Sequence, residues 1–166
     1  MPAELSIRPA SPADVPLLLR LIRELADYEK LTHEVVATEE QLQQTLFGPQ
    51  PCAEALIGTV GDQPAGFALY FQNYSTFLAK PGLYLEDLFV QPAHRGAGLG
   101  KALITTVARI AHERGCGRFE WTVLDWNTPA IRFYESLGAQ MKGDWRIMRV
   151  TGPALEQMAS LSPASP

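Results

Sequence analysis

Between residues 95 and 101 the chain reads Arg-Gly-Ala-Gly-Leu-Gly-Lys. Glycine reaches positive φ and lets a ligand come against the main chain. The first amides of a helix have no internal acceptor and point outward at the positive end of its dipole. If a helix opens here, the turn is a seat for phosphate, with Arg95 and Lys101 as flanking cations. A tight turn that binds nothing carries the same glycines, but the two cations and the strand ahead of the turn favour an anion site. The phosphate loop of nucleoside triphosphatases needs a glycine five residues before its Gly-Lys pair and Ser or Thr after it; Arg95 and Ala102 stand there. The dinucleotide fingerprint needs its third glycine where Lys101 stands.

The elements that hold this turn follow from periodicity. Leu83 to Val90 reads as a strand, with Leu83, Leu85, Asp87 and Phe89 on one face and Tyr84, Glu86, Leu88 and Val90 on the other. Gln91-Pro92 ends it, because proline has no donor for a ladder. Leu99, Leu103, Ile104, Val107 and Ile110 then recur at helical spacing to about Arg114-Gly115. Arg118 to Leu124 alternates as the next strand. This β-α-β unit predicts parallel neighbours.

Upstream, Leu5 to Arg8 is a first strand. Ser11-Pro12-Ala13-Asp14 starts a helix that runs to about Lys30, with Pro16 making its beginning irregular. Thr38-Glu39-Glu40-Gln41 is a capping box for a short helix to about Phe47. Ala53 to Val60 and Ala65 to Tyr74 are strands joined by Gly61 to Pro64 as a hairpin. Downstream, Thr128 to Leu137 is a helix closed by Gly138. Trp145 to Val150 reads as a last strand, Ala139 to Lys142 as another, and Pro153 to Ala159 as a terminal helix. Residues 1–160 are read as a single domain and 161–166 as a disordered tail.

Composition narrows the function classes. The chain has 166 residues, a net charge of -4 and 46% hydrophobic residues, so a core is affordable and nucleic-acid binding gets no electrostatic support. Two cysteines, Cys52 and Cys116, form no framework or Cys-x-x-Cys motif, which suits a reducing cytoplasm. No signal peptide or membrane-spanning run is visible, and the three histidines have no metal-ligand spacing.

Arg95-Gly96-Ala97-Gly98-Leu99-Gly100 matches the acetyl-CoA signature of the GNAT acetyltransferases, Arg/Gln-x-x-Gly-x-Gly/Ala. A second stretch, Asn127-Thr128-Pro129-Ala130-Ile131-Arg132-Phe133-Tyr134 followed by Gly138-Ala139, resembles the ending of the same superfamily. Leu21-Ile22-Arg23-Glu24-Leu25-Ala26, Tyr28-Glu29, Tyr84-Leu85-Glu86-Asp87 and Trp126-Asn127 resemble its diamine (spermidine/spermine) acetyltransferases. Glu29-Lys30-Leu31 and Val123 to Asn127 look closer still to the branch that acetylates thialysine, a lysine analogue.

The resemblance implies an α/β (α+β) GNAT fold: a mixed, mostly antiparallel sheet whose parallel central strands splay to bind CoA, flanked by helices. It implies acetyl-CoA as donor, a small-molecule primary amine as acceptor and a homodimer. By resemblance Tyr134 is the acid that protonates the departing thiolate, and Glu86 orients the amine or acts as base through water. Leu88, Phe89 and Val90 would hold the pantetheine arm by their backbone, and Arg95, Gly96, Ala97, Gly98, Leu99, Gly100 and Lys101 the diphosphate, with Asn127 and Ala130 also on the cofactor. Tyr28, Glu29, Glu86, Glu120 and Thr122 would meet the amine. Asp87, next to Glu86, is expected to point the other way and to be structural. Phe133 and Trp145 read as packing aromatics.

The chemistry suits these residue types. A primary amine, with a reference pKa of roughly 10, must lose a proton before it attacks a thioester, and the thiolate must gain one. Orientation of two held substrates needs no acyl-enzyme. Polyamine enzymes of the family carry acidic residues after Tyr-Glu, where this chain has Lys30-Leu31-Thr32-His33-Glu34, so a lysine-like amine gains ground over a long polyamine. The alternatives are an acetyltransferase of protein N-termini or lysines, and a catalytically silent acyl-CoA-binding module.

Overall fold

The computed structural model describes residues 3–163. The expected tail falls partly outside them, at residues 164–166. Two compact units meet in the sequence between Thr122 and Val123.

The first unit carries one sheet in the order β1-β2-β3-β4-β5, made of β1 (Leu5–Pro9), β2 (Glu54–Val60), β3 (Gln63–Ser75), β4 (Lys80–Val90) and β5 (Phe119–Trp121). The first four are antiparallel to their neighbours and β4 runs parallel to β5, which is the mixed sheet the sequence predicts. Val60 sits opposite Gln63, so Gly61 and Asp62 alone turn the first hairpin, with Gly61 at φ 60°. β3 and β4 are longer than their apolar cores suggest. Ser75 pairs with Lys80, so residues 76–79 close a second hairpin.

Helix α1 (Val15–Tyr28) covers one face of the sheet together with α2 (Glu39–Phe47). Leu18 and Leu21 of α1 and Leu46 of α2 form one cluster with Ala55, Ile57, Phe67 and Phe89 of β2 to β4. Helix α3 (Leu99–Glu113) packs on the other face. Its Leu99 and Leu103 close on Gly58, whose neighbour Ile57 faces α1; a Cβ on Gly58 would lie 2.8 Å from Leu99. The capping box on α2 is present, with the Thr38 hydroxyl accepting from the Gln41 amide.

The start of α1 shows why Pro16 is tolerated. Pro12–Asp14 form a single 3-10 turn, and α1 follows with Pro16 in its first turn, where no amide is required. Asp14 secures the junction. Its carboxylate accepts from Arg8 Nη1 and Nη2 at 2.7 and 2.8 Å and from the Ser11 amide at 2.7 Å. β1 is thereby tied to the helix that faces the site.

The second unit holds α4 (Thr128–Ser136) and α5 (Gly152–Ser160). The strands expected at Trp145–Val150 and Ala139–Lys142 are not formed. Trp145 is 81% and Met148 92% exposed. Alternating apolar residues make a strand only where a neighbour completes the ladder. The strand expected over Arg118 to Leu124 shortens to Phe119–Trp121 for the same reason: its register with β4 runs only from Leu83–Phe119 to Leu85–Trp121.

The Arg8–Asp14 contact yields a stability prediction. The Arg8 guanidinium holds the Asp14 carboxyl well below the ordinary aspartate value, at about 2. The folded state therefore holds fewer protons there than the unfolded chain, and the contribution is complete above about 4 and lost as pH falls toward 2. Asp14→Asn is expected to cost about 1–2 kcal/mol at pH 7, the lower part of the range for charged hydrogen bonds because Arg8 is half exposed. Urea titrations at pH 7 and near pH 2.5 check this; the gap between variant and wild type should shrink at the lower pH.

Candidate active site

The centre of the site is an irregularity in β4. Tyr70 pairs with Leu85 and Leu69 with Asp87, so Glu86 is an extra residue, the insertion of a β-bulge. The bulge changes which way the strand faces. Phe89 lies opposite Phe67 in the α1 cluster, and Asp87 lies opposite Leu69, which packs against that cluster. Val90 lies opposite Gly66, which pairs with Gly58 beneath α3. Leu83 and Leu85 precede the bulge and share the α3 face with Leu88 and Val90. Strict alternation put Leu83, Leu85, Asp87 and Phe89 together; the extra residue overturns this, and Asp87 belongs to the α1 face.

Beyond Leu85, β4 has no β5 partner among the described residues, because β5 stops at Trp121. Leu88, Phe89 and Val90 therefore run along an edge open on that side, with peptide groups available to an extended ligand. Phe89 and Leu85 are buried, so their side chains serve the core.

Asp87, which the sequence reading sets aside as structural, has the perturbed carboxyl of this strand. Burial, with the negative charges of Glu86 and Glu29 nearby, pushes its carboxyl up to about 7. Glu29 caps the C-terminal end of α1, and its own carboxyl is raised by burial. Three acidic residues thus surround one spot on the α1 face. None of them has an ion pair among the described residues, in contrast to Asp14 with Arg8, Glu54 with Arg114 and Glu120 with Arg118. A signal existed in the sequence: two adjacent acids inside an apolar strand send one into each face, which is costly unless a bulge intervenes.

The glycine-rich turn is built as an anion seat. A 3-10 turn, Pro92–His94, precedes it, and Gly96 and Gly98 have φ of 84° and 89°, which a side chain would strain. Space beside Gly96 is open: a Cβ there would meet nothing within 4 Å. Gly98 starts α3 without any side-chain cap, and the Ala102 amide bonds to the Gly98 carbonyl at 3.0 Å. The amides of Leu99, Gly100 and Lys101 precede that first bond and face outward. These groups fit a diphosphate. Arg95, expected as one of its cations, is turned elsewhere. Its Nε donates to the Val90 carbonyl at 3.0 Å, and its guanidinium carbon lies 4.6 Å from the centre of the Tyr28 ring and 5.8 Å from that of Phe89.

Tyr28, Glu29, Glu86 and the turn are therefore gathered around the end of β4. Glu120 and Thr122 are engaged in contacts of the sheet. Glu120 pairs with Arg118 at 2.9 Å and accepts from Asn73 at 3.3 Å, and Thr122 lies 3.5 Å from the Tyr84 hydroxyl. In the second unit Asn127 caps α4, its side chain accepting from the Ala130 amide at 3.4 Å. Tyr134 lies in the last part of α4, its ring 5.4 Å from that of Phe133, and its carbonyl accepts from Leu137 and Ala139 where the helix ends.

Residues 18–139 match the model of the acetyltransferase (GNAT) family. The L-ornithine N5-acetyltransferase of Arabidopsis thaliana is 37% identical, over 94% of this chain and 88% of that one. The thialysine N-epsilon-acetyltransferase of Sus scrofa is 38% identical, over 95% of this chain and 98% of that one. Among solved structures, an integron cassette protein from the mobile metagenome of V. cholerae superposes with a TM-score of 0.78 at 26% identity, covering 93% and 97% of the two chains.

The raised Asp87 carboxyl makes a prediction that needs no substrate. Between about 4, where an unfolded aspartate titrates, and 7, the folded chain holds the extra proton, so stability falls as pH rises through that window. Asp87→Asn should remove this slope and leave the variant more stable than wild type, relative to the acid end, at neutral pH. Denaturation midpoints from pH 4.5 to 8 check it; parallel curves for the two proteins would contradict it.

Proposed function

The chain belongs to the GNAT acetyltransferase family and is an N-acetyltransferase, and on that premise we propose that it moves an acetyl group from acetyl-CoA directly to the primary amine of a small cationic acceptor, lysine-like rather than a long polyamine. One observation carries the reading: the unpaired carboxylates of Glu29, Glu86 and Asp87 stand beside an open strand edge that leads to an anion seat.

The amides of Leu99, Gly100 and Lys101, with the space beside Gly96 and Ala97, hold the diphosphate of the donor. Leu88 to Val90 bind its extended arm through their peptide groups. Bound acetyl-CoA supplies the activated thioester carbonyl. The three carboxylates attract the ammonium and align it. Asp87, poised near neutrality, takes the proton the amine must lose, and Glu86 adds the charge that keeps it basic. Tyr134 gives a proton to the departing thiolate, and Asn127 with Ala130 sets the start of its helix. Tyr28 forms the wall over the amine.

Support for a short acceptor comes from α1. A groove of about 590 Å3 runs past Arg20, Arg23, Glu24, Asp27, Tyr28 and Phe89. The two arginines stand among three acids, Glu24, Asp27 and Glu39, with Arg20 3.8 Å from Glu24, a wall of mixed charge that suits an acceptor carrying both an ammonium and a carboxylate. The thialysine and ornithine acetyltransferases among the relatives agree with that choice. The same reading takes residues 1–160 as one catalytic domain, since the family match crosses from Thr122 to Val123. It also takes the protein as a homodimer, with Phe77 and Met148 among the exposed apolar side chains available to a second copy. The two free thiols, Cys52 and Cys116, suit a cytoplasmic setting. No helix among the described residues is long and apolar enough to cross a membrane.

Thiol release from acetyl-CoA, measured with lysine, thialysine, ornithine, putrescine, spermidine and amino-acid amides, tests the acceptor; turnover with none of them would favour a protein acceptor or a silent module. Tyr134→Phe is expected to lower turnover by roughly two orders of magnitude, the scale of one lost general acid, with coenzyme A binding retained. In wild type kcat/KM should rise as pH passes about 7, and Glu29→Gln should move that limb to lower pH, because one of the charges raising Asp87 is gone.

A further inference from the structure

Arg95 stands first in the glycine-rich motif, yet its polar groups are spent away from the turn. Its amide donates to the Pro92 carbonyl at 3.3 Å. Its Nε donates to the Val90 carbonyl at 3.0 Å, fastening the side chain to the last residue of β4. The guanidinium then lies 4.6 Å from the centre of the Tyr28 ring, with Phe89 at 5.8 Å. That is the distance of a cation–π contact, for which the planar, delocalised guanidinium is well suited.

What the contact joins matters more than its strength. Tyr28 is the last residue of α1, and Glu29 caps it. After Glu29 the chain turns sharply, with Lys30 at φ 62°, a conformation uncommon outside glycine. A second link ties α1 to the end of β4: Gln91 Nε2 donates to Glu24 at 2.8 Å, one turn before Tyr28. Arg95 therefore pins the C-terminal turn of α1, and with it the carboxylate of Glu29, against the strand that carries Asp87.

We propose that Arg95 is a positioning residue for the acceptor side of the site, acting through Tyr28, and that the anion seat is made by main-chain amides and Lys101 without its guanidinium. The proposal rests on the acetyltransferase reading above for its kinetic consequence but not for the contact itself. With the ring platform gone or the cation gone, Tyr28 and Glu29 lose their fixed place and the amine is held less well. The donor, which meets the amides of residues 99–101, is affected little.

The test is a double-mutant cycle on the full chain: Arg95→Ala, Tyr28→Leu, and both together, with Tyr28→Phe and Arg95→Lys as conservative variants. Melting temperature, KM for the best amine of the panel, kcat, and the dissociation constant of coenzyme A are measured on each. Arg95→Ala is expected to raise the amine KM by about 2- to 30-fold, the span that cation–π energies convert to. Coenzyme A affinity should stay within about threefold, below the tenfold that 1.4 kcal/mol would give. The double variant should be no worse than the poorer single one. Tyr28→Phe, which retains the ring, should raise the amine KM less than Tyr28→Leu does, and Arg95→Lys should recover part of the loss.

A selective loss of coenzyme A affinity in Arg95→Ala, or strictly additive effects on amine KM, would overturn the proposal. Absence of turnover with any amine would count against the acceptor reading alone. The melting-temperature cycle then still decides the contact: non-additive shifts support it, and additive shifts refute it.

Discussion

Inserting Glu86 opposite the junction of Leu69 and Tyr70 reverses the phase of β4 halfway along its length. Both faces of this strand are covered, by α1 with α2 on one side and α3 on the other, so each half must send apolar residues in both directions. With uninterrupted alternation Asp87 would share a face with Leu83 and Leu85 and be buried beneath α3, while Phe89 would leave the cluster it forms with Leu18, Leu21 and Phe67. An ionised carboxylate under an apolar helix is far costlier than the local loss of one ladder pairing. The extra residue lets Leu83, Leu85, Leu88 and Val90 all serve α3, and delivers the acid to the α1 face, where Glu29 and Tyr28 end the helix.

Charge pairing divides the acids of this chain into two groups. Asp14, Glu54 and Glu120 each face an arginine, and for Asp14 and Glu54 the pairing lowers the carboxyl. Around the bulge the opposite holds. Glu29 and Asp87 are raised, and the guanidinium of Arg95, which follows the end of β4, is given to an aromatic ring and a carbonyl. Mutual repulsion among unpaired carboxylates is a standing cost in the free protein that an arriving ammonium relieves. Such a cluster has little structural use, which is why its perturbed acidity points to function.

The sequence made the path of the chain readable wherever one signal dominated. The capping box at Thr38, the hairpin at Gly61 to Pro64, which the structure tightens to Gly61-Asp62, and the left-handed glycines before α3 are local chemistry, and all are present. The parallel partner of β4 followed from a β-α-β connection. What escaped were features decided by partners. Trp145 to Val150 has the alternation of a strand but no ladder to join. The facing of Asp87 depends on one extra residue, which period-two counting cannot see because it assumes the register it is meant to find. Arg95 has the spacing of a phosphate ligand, and only the proximity of Tyr28, 67 positions earlier by number, reveals its other engagement.

The distance between the two ends of the site constrains what can occupy it. From Glu86 to Val90 the strand advances on the order of 13 Å, at about 3.3 Å per residue. At one end stand the carboxylates, which call for a cation; at the other, past Val90, stand the outward amides of α3, which call for an anion. Between them β4 has no β5 partner among the described residues, and apart from the Val90 carbonyl, taken by Arg95, its edge is open to an extended ligand. A ligand that satisfied the amides alone would leave that edge bare, and one that met the carboxylates alone would have no use for the glycines. A long molecule with a diphosphate at one end, amide groups along an extended arm and an electrophilic carbonyl at the other end answers to all three. On the proposed reading it would bring that carbonyl beside the acids of the bulge, where an amine drawn by Glu29 and Glu86 would give its proton to Asp87. The same bulge that keeps the core apolar would then set the point at which the two proposed substrates meet.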